Sequence, residues 1–254
     1  MSEMLVVLAG LDAGELAVIA GLTFLGSVAA GLSGMGGGVI IAIAITPLVG
    51  IKPLVPTVSI AMLVNHVARV WVFRHSVDWR SALAVLATAL PFTLVGSAIY
   101  VALPATVVAV VMGVFLVAFV PLRRVLARRA WRLGRPGLMA VGGVFGLVTG
   151  TTLGGGMLIV PALLGSGLSG AMLIGTDAVI GLSVLIGKAA MFGTLELLTP
   201  ELVVIGLLVG LVSVPGVYLA RWILEHTSVR LHTLLIELLI VGGGLSFVWR
   251  GLTS

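Results

Sequence analysis

Two glycine-rich runs contain the residues of this sequence that are most able to bind a ligand. Residues 31–38 and 150–156 each end in three consecutive glycines. Glycine costs about 1 kcal/mol per residue in a helix interior, so each run predicts a break followed by a new helix start. The first N–H groups of a helix lack partners within it, and they favour an anion. The hydroxyl groups of Ser33, Thr151 and Thr152 add further hydrogen-bond donors.

The two runs repeat each other along the chain. Gly36 and Gly154 are 118 residues apart, and each opens its glycine triplet. Close helix packing through small residues is the alternative interpretation. Short glycine-interrupted segments at matching positions favour a transporter site instead. The predicted anion ligands from the runs are Ser33, Gly34, Gly36, Gly37, Gly38, Thr151, Thr152, Gly154, Gly155 and Gly156.

Polar side chains inside otherwise apolar segments form a second group of candidates. They are Asn65, His66 and Arg69 in one segment, and Asp177 and Lys188 in its counterpart. Ionisable residues within a membrane are costly and usually functional. Arg69 and Lys188 would attract an anion, with Asn65 and His66 as further ligands. His66 and Asp177 are also candidates for proton coupling. The alternatives are snorkelling for the two cations, an interfacial or helix-end position for Asp177, and a packed, hydrogen-bonded His66.

Composition determines the kind of element that must position these residues. The chain has 60% hydrophobic and 9% charged residues, whereas soluble domains have about 25% charged residues. Only helices and closed barrels satisfy their backbone in lipid, and barrel strands alternate polar and apolar residues. The runs 82–103 and 202–219 do not alternate. The sequence therefore predicts an all-α polytopic membrane protein.

The apolar segments form two series of five, which predicts two repeats and eight to ten transmembrane helices at about 20 residues per span. The segments lie near 14–32, 36–50, 55–74, 81–102 and 104–122, and near 137–152, 154–166, 171–194, 201–220 and 231–249. The first two segments of each half fit either full spans or re-entrant half-helices, and charge does not separate these cases.

Six arginines between residues 123 and 135 divide the two series. We predict an N-terminal repeat at 1–122, a basic loop at 123–136 and a C-terminal repeat at 137–254. The positive-inside rule places this loop in the cytoplasm and both termini outside. Equivalent segments then run in opposite directions, so the repeats are inverted. The net charge of +5 is concentrated in this loop and does not indicate nucleic-acid binding.

Several other classes of protein are disfavoured. The chain has no cysteine, which excludes disulfides and thiolate chemistry, and we predict no metal site and no cofactor. Residues 1–14 carry no basic residue, so a removable signal peptide is not expected. Residues 31–34 and 167–170 both spell G-x-S-G, which resembles the serine motif of rhomboid intramembrane proteases. The second copy has no matching histidine for a base, and the enzyme interpretation is therefore weak.

The glycine runs around a basic loop resemble those of the TauE/SafE family of sulfite exporters and related anion permeases. The resemblance rests on residues 34–38 and 153–156 and on the stretch 57–79, and it covers about residues 14–249. The family often has a proline shortly after the glycines. Pro161 supplies it in the second half, but Ile43 stands at the equivalent place in the first half, with Pro47 one turn later. The resemblance implies export of sulfite or organosulfonates.

The sequence thus predicts a secondary transporter, not an enzyme, that exports small sulfur-containing anions across the inner membrane. The site would lie near the midplane between the two glycine breaks. Its partners would be the anion, the lipid bilayer and coupled protons, and a homo-oligomer is compatible with the pattern. An anion channel is the main alternative, followed by a serine protease using Ser33 and by a structural scaffold.

Overall fold

The structure is a computed structural model that describes residues 12–33, 37–128, 133–153, 155–226, 241–242 and 244–252, with side chains except at residues 33, 119–120, 122–128 and 225. Nearly all of these residues are helical, and none of them lies in a strand. In chain order the helices are α1 Ala13–Ser33, α2 Gly37–Val49, α3 Ile51–Phe73, α4 Trp79–Ala102, α5 Ala105–Arg128, α6 Arg135–Thr151, α7 Gly156–Gly165, α8 Gly170–Thr194 and α9 Pro200–His226. The described residues from 241 to 252 are also helical. The predicted all-α class is confirmed.

Five of these helices are long and apolar enough to cross a bilayer. They are α1, α3, α4, α8 and α9, with 20 to 26 residues in each apolar stretch. Their exposed surfaces carry large apolar side chains that water would solvate poorly, such as Leu83, Ile186 and Leu211. The apolar exterior and the helix lengths are those of a multi-pass membrane protein.

The helices that follow the glycine runs are short. Helix α2 has 13 residues and α7 has 10. At 1.5 Å per residue they extend about 20 Å and about 15 Å, whereas the hydrocarbon core is about 30 Å thick. Neither helix can cross the bilayer by itself, so each must begin or end inside it.

Three helix boundaries lie four or more residues from the predicted segments, and one of them is the end of α9 at His226 instead of residue 220. Helix α3 begins at Ile51 instead of residue 55. Pro53 fits into its first turn, because a backbone N–H there would have no hydrogen-bond partner within the helix. Gly50 precedes it with φ 75°, a conformation that favours glycine. Helix α5 continues to Arg128, so the first part of the predicted basic loop is helical. The division into two repeats stays a prediction.

Helices α3 and α8 pack against each other, and the most extensive of the other helix contacts come in matching pairs. Helix α1 packs on α2 as α6 packs on α7, and α9 packs on α1 as α4 packs on α6. Likewise, α9 contacts α3 as α4 contacts α8. Every pair converts into its partner when each helix is replaced by its counterpart in the other half. This pairing is what a duplicated fold requires, while the inverted orientation stays a prediction.

Small residues bring the paired helices together. A Cβ at Gly142 would lie 2.5 Å from the carbonyl oxygen of Val85, and one at Gly150 would lie 2.5 Å from that of Thr93. On the other side, a Cβ at Gly216 would lie 2.8 Å from the side chain of Ser27. The packing interpretation of glycine therefore holds at these helix crossings.

Candidate functional site

A cavity of about 80 Å³ lies where the two halves meet. It is bounded by the starts of α2 and α7, the last turn of α6, and the middle of α3 and α8. One water needs roughly 10–15 Å³ of such space, so the cavity has room for a small polyatomic ion. The glycines at the helix starts, Gly37, Gly38, Gly155 and Gly156, all line it.

An ion pair between the halves forms one side of the cavity. Nη2 of Arg69 on α3 lies 2.6 Å from Oδ2 of Asp177 on α8, and the two side chains are 1% and 4% exposed. Such a charge-assisted hydrogen bond is among the stronger polar contacts in proteins. The Nε of Arg69 is buried and has no hydrogen-bond partner among the described residues. Within this part of the chain, Arg69, which lines the cavity, therefore keeps a free N–H donor.

Lys188 on α8 forms another side of the cavity and is held differently. Its Nζ donates to the carbonyl oxygens of Thr149 at 2.5 Å and Thr152 at 3.0 Å, and the residue is 1% exposed. These carbonyls belong to the C-terminal end of α6, where the helix dipole favours a cation. The ring of Phe192 lies 5.6 Å from Nζ. Within the described part of the chain, no carboxylate lies within salt-bridge distance of this ammonium.

Further hydrogen-bond donors surround the same space. The hydroxyl of Thr149 is buried, and no residue that the structure describes forms a hydrogen bond with it. It lies against the start of α7, because a Cβ added at Gly155 would collide with its Oγ1. The first N–H groups of α2 and α7 lack acceptors within their own helices. The cavity thus combines two cations with hydroxyl and backbone donors, an arrangement that can bind an anion.

His66 completes the polar lining on α3. Its Nδ1 lies 2.9 Å from the carbonyl oxygen of Met62, and the residue is 8% exposed. The other edge of the imidazole faces α8 so closely that a Cβ at Gly181 would overlap it. In the neutral ring, the Nδ1 proton donates to Met62 and Nε2 is free to accept.

A family model described as "Sulfite exporter TauE/SafE" matches residues 19–247 of the chain. This match covers most of the sequence, including every element of the cavity. The chain belongs to the TauE/SafE sulfite exporter family. The resemblance seen in the glycine runs is thereby confirmed, and so is the assignment to membrane transport. Comparison with curated proteins and with solved structures gave no match.

In this TauE/SafE protein most of the residues predicted for the site lie around the cavity. The described residues that line it are Gly37, Gly38, His66, Arg69, Thr152, Gly155, Gly156, Asp177 and Lys188. The burial of Arg69 and Lys188 shows that the snorkelling alternative is wrong for these two side chains. Whether the lining residues bind substrate stays a prediction.

Two predicted residues lie away from the cavity lining. The Asn65 side chain is buried between helices and donates to the hydroxyls of Ser27 at 2.8 Å and Ser213 at 3.2 Å. Thr151 donates to carbonyl oxygens of its own helix, at Leu147 and Val148. Both side chains form hydrogen bonds within the packed helices, and neither lines the cavity beside Lys188 and Arg69.

Some predicted residues lie outside what the structure describes. These are Gly34, Gly36, Gly154 and the side chain of Ser33. The two G-x-S-G copies can still be compared through their other residues. Gly31 lies within α1 and packs on Ala220. In contrast, Gly167 has φ 96° in the turn before α8, and Gly170 has φ 54° as the first residue of α8. The two copies therefore occupy different structural settings, and the second is explained by its turn.

The sequence analysis missed Thr149. Its carbonyl holds Lys188 and its hydroxyl lies unpartnered at the cavity. The signal was present, because Thr149 lies one residue before the Gly150 run on the last turn of α6. Attention to the run alone selected Thr151, which faces its own helix.

Proposed function

We propose that this member of the TauE/SafE family is a secondary transporter that binds a small sulfur-containing anion, sulfite or an organosulfonate, in the central cavity and exports it across the inner membrane. The observation that carries the proposal is Lys188. This buried ammonium lines the cavity with only carbonyl oxygens and a ring as partners. A buried charge without an opposite charge is costly, so an anion beside it would stabilise the protein.

The helix starts on either side would share in binding. Gly37, Gly38, Gly155 and Gly156 leave room for an anion to approach the backbone, since none carries a side chain. The third N–H of Lys188 and the free Nε of Arg69 would complete the donor set. Residues of the same runs that the structure does not describe, Ser33, Gly34, Gly36 and Gly154, remain proposed ligands.

Proton coupling is proposed for the two other titratable groups of the cavity. The neutral form of His66 has an acceptor nitrogen, and Asp177 can exchange its ion pair with Arg69 for a proton. If the anion moves only when one of these side chains binds or releases a proton, transport is coupled to a proton gradient. Loss of the pH-gradient effect in a His66→Asn variant that still transports sulfite would support this assignment.

The proposed topology follows the charge pattern. The basic loop would face the cytoplasm and both termini the other side, which makes the two halves inverted repeats. Matching helix contacts in the two halves support the duplication. An inverted pair would direct the starts of α2 and α7 towards each other from opposite leaflets, as in other secondary transporters.

A carrier is favoured over a channel by the burial of the charged lining. Arg69, Asp177 and Lys188 are each no more than 4% exposed, so this conformation shields them from bulk solvent. A channel would expose such groups to a water-filled path. Saturation of the flux with rising sulfite concentration would support the carrier, and flux that rises linearly would support a channel.

The experiment that tests the proposal measures radiolabelled sulfite flux in proteoliposomes. We expect Lys188→Gln to lower the flux at least 100-fold, because the glutamine keeps a hydrogen-bond donor but removes the charge. Arg80→Gln is the matched control, since Arg80 is an exposed cation at the start of α4. Equal flux in wild type, Lys188→Gln and Arg80→Gln would contradict the proposed site.

A further inference from the structure

We propose that Asp177 makes the cavity selective for singly charged anions, because its carboxylate cancels the charge of Arg69 and leaves Lys188 as the net charge of the site. This inference rests on the proposed anion site and adds to it the charge class of the substrate and the residue that selects it. The family assignment sets no such limit, since sulfite itself exists as a monoanion and a dianion.

Four titratable side chains determine the charge of the cavity lining, namely His66 and Arg69 from α3 and Asp177 and Lys188 from α8. With histidine neutral, the cations contribute +2 and the carboxylate −1, so the lining carries one net positive charge. No other Asp, Glu, Lys, Arg or His of the described chain lines the same space.

The carboxylate of Asp177 lies beside Arg69 and away from Lys188. Asp177 is bonded to Arg69 at 2.6 Å and lies outside salt-bridge distance of Lys188. Lys188 is instead held on the carbonyls of α6. The carboxylate thus compensates one cation specifically and leaves the other available to a ligand.

The counterpart of Asp177 in the first half is uncharged. The spacing of 119 that relates Arg69 to Lys188 relates Val58 to Asp177, and the spacing of 118 between the glycine triplets relates Ser59 to Asp177. Val58 and Ser59 both line the cavity and are buried, so an uncharged side chain packs at this position in the first half. The carboxylate is therefore an addition of the second half that packing does not require.

The energetic consequence follows from the low dielectric of a buried site. A monoanion beside Lys188 brings the charge of the cavity to zero. A dianion leaves one uncompensated negative charge, close to the carboxylate of Asp177, and buried unpaired charges are strongly disfavoured. Removing the negative charge of Asp177 would raise the net charge to +2 and make a dianion the better match.

Sulfate and methanesulfonate form the pair of probes that separates charge from shape. Both are tetrahedral at sulfur, and a methyl group in one replaces an oxygen in the other, so they differ by one charge. We expect the purified wild-type protein to bind methanesulfonate at least tenfold more tightly than sulfate by calorimetric titration at neutral pH, where both probes are fully ionised. In Asp177→Asn this ratio should move at least tenfold towards sulfate.

Two further variants keep the test decisive. Glu196→Gln removes an exposed carboxylate just after α8 and should leave the ratio as in wild type. Arg69→Gln combined with Asp177→Asn removes both members of the ion pair, leaves the net charge at +1, and should also keep the preference for methanesulfonate. This double variant has no unpaired buried charge at the pair, so it should fold even where Asp177→Asn does not.

The outcomes separate this inference from the proposed function. A wild-type protein that binds sulfate as tightly as methanesulfonate would overturn the inference and leave the anion site in place. The same holds for a double variant that prefers sulfate, and for an Asp177→Asn protein with an unchanged ratio. Binding of neither anion to the wild type would overturn the inference together with the anion site.

Discussion

Arg69 on α3 and Lys188 on α8 line one cavity, yet they are held in opposite ways. Arg69 is paired with the carboxylate of Asp177, whereas Lys188 rests on the carbonyl oxygens of Thr149 and Thr152. Both cations are almost completely buried. The single carboxylate of Asp177 therefore makes the electrostatic roles of the two cations different.

The difference separates two tasks. A buried ion pair joins α3 to α8, and removing either partner destabilises the protein. A buried cation without an opposite charge gives little to stability, but it is ready to receive an anion. On this account Arg69 mainly holds the halves together and Lys188 mainly binds substrate. Substitution of Arg69 should therefore mainly lower stability, and substitution of Lys188 should mainly lower sulfite binding.

The largest effect on stability is expected at the ion pair. Arg69→Met leaves the carboxylate of Asp177 buried without its partner, which costs about 3–5 kcal/mol of unfolding free energy. Adding Asp177→Asn to Arg69→Met should restore most of that loss. Equilibrium unfolding in mixed detergent micelles measures both values. A loss of less than about 1 kcal/mol in the single variant would show that the pair contributes little.

Substitutions at the starts of α2 and α7 should lower stability by less than Arg69→Met does, and by unequal amounts. A Cβ at Gly37 would lie 2.5 Å from both the Ala30 Cβ and the carbonyl oxygen of Gly26, and backbone cannot move aside. A Cβ at Gly155 meets the Thr149 hydroxyl and the Phe145 ring, which can rotate. Gly37→Ala should therefore cost about 1–3 kcal/mol of stability, typical of overpacking. Gly155→Ala should cost less stability and should weaken sulfite binding by displacing Thr149.

Gly193→Ala is the control for these two variants, because nothing lies within 4 Å of a Cβ at that position on α8. It should change neither stability nor sulfite binding by a measurable amount. If Gly155→Ala proves more destabilising than Gly37→Ala, the comparison of the two helix starts is wrong.

Thr149 should affect binding more than folding. Its hydroxyl has no hydrogen-bond partner in the described part of the chain, so Thr149→Val removes no hydrogen bond seen there. A hydrogen bond to a charged ligand contributes about 1.5–3 kcal/mol, which predicts roughly tenfold or greater loss of sulfite affinity. Thr151→Val is the matched control, since that hydroxyl bonds its own helix. Equal losses of affinity in the two variants would remove Thr149 from the site.

The smallest effect on the empty protein is expected at Lys188. Lys188→Met replaces a buried charge by an apolar side chain of similar length, and such replacements are often neutral or stabilising. The unfolding free energy without anion should stay the same or rise. A loss comparable to that of Arg69→Met would show that Lys188 is a structural residue and would contradict the division of tasks.

The helical class, the segments and the glycine runs could be predicted from the sequence because they depend on local composition. The basic loop was placed less well, since α5 continues to Arg128 and nothing in the arginines ends a helix. Proline and glycine are the residues that set such boundaries, and none lies between Arg123 and Arg129.

The contacts inside the site were harder to predict. Residues Arg69 and Asp177 lie in different halves, and their pairing depends on how α3 crosses α8. Helices that are apolar all round have no polar face to show which side meets the cavity. For this reason Asn65 was grouped with His66 although it bonds Ser27 and Ser213 elsewhere, and Thr151 was chosen in place of Thr149.

The central claim is that Lys188 provides the net charge that binds the anion, and ligand-dependent stability tests it most directly. Sulfite that binds only the folded protein must raise the unfolding midpoint as its concentration rises. We predict that the midpoint of the wild type rises with sulfite while that of Lys188→Met stays constant, although the two proteins start from similar stabilities. An equal rise in both would contradict the account, because the anion would then bind without Lys188.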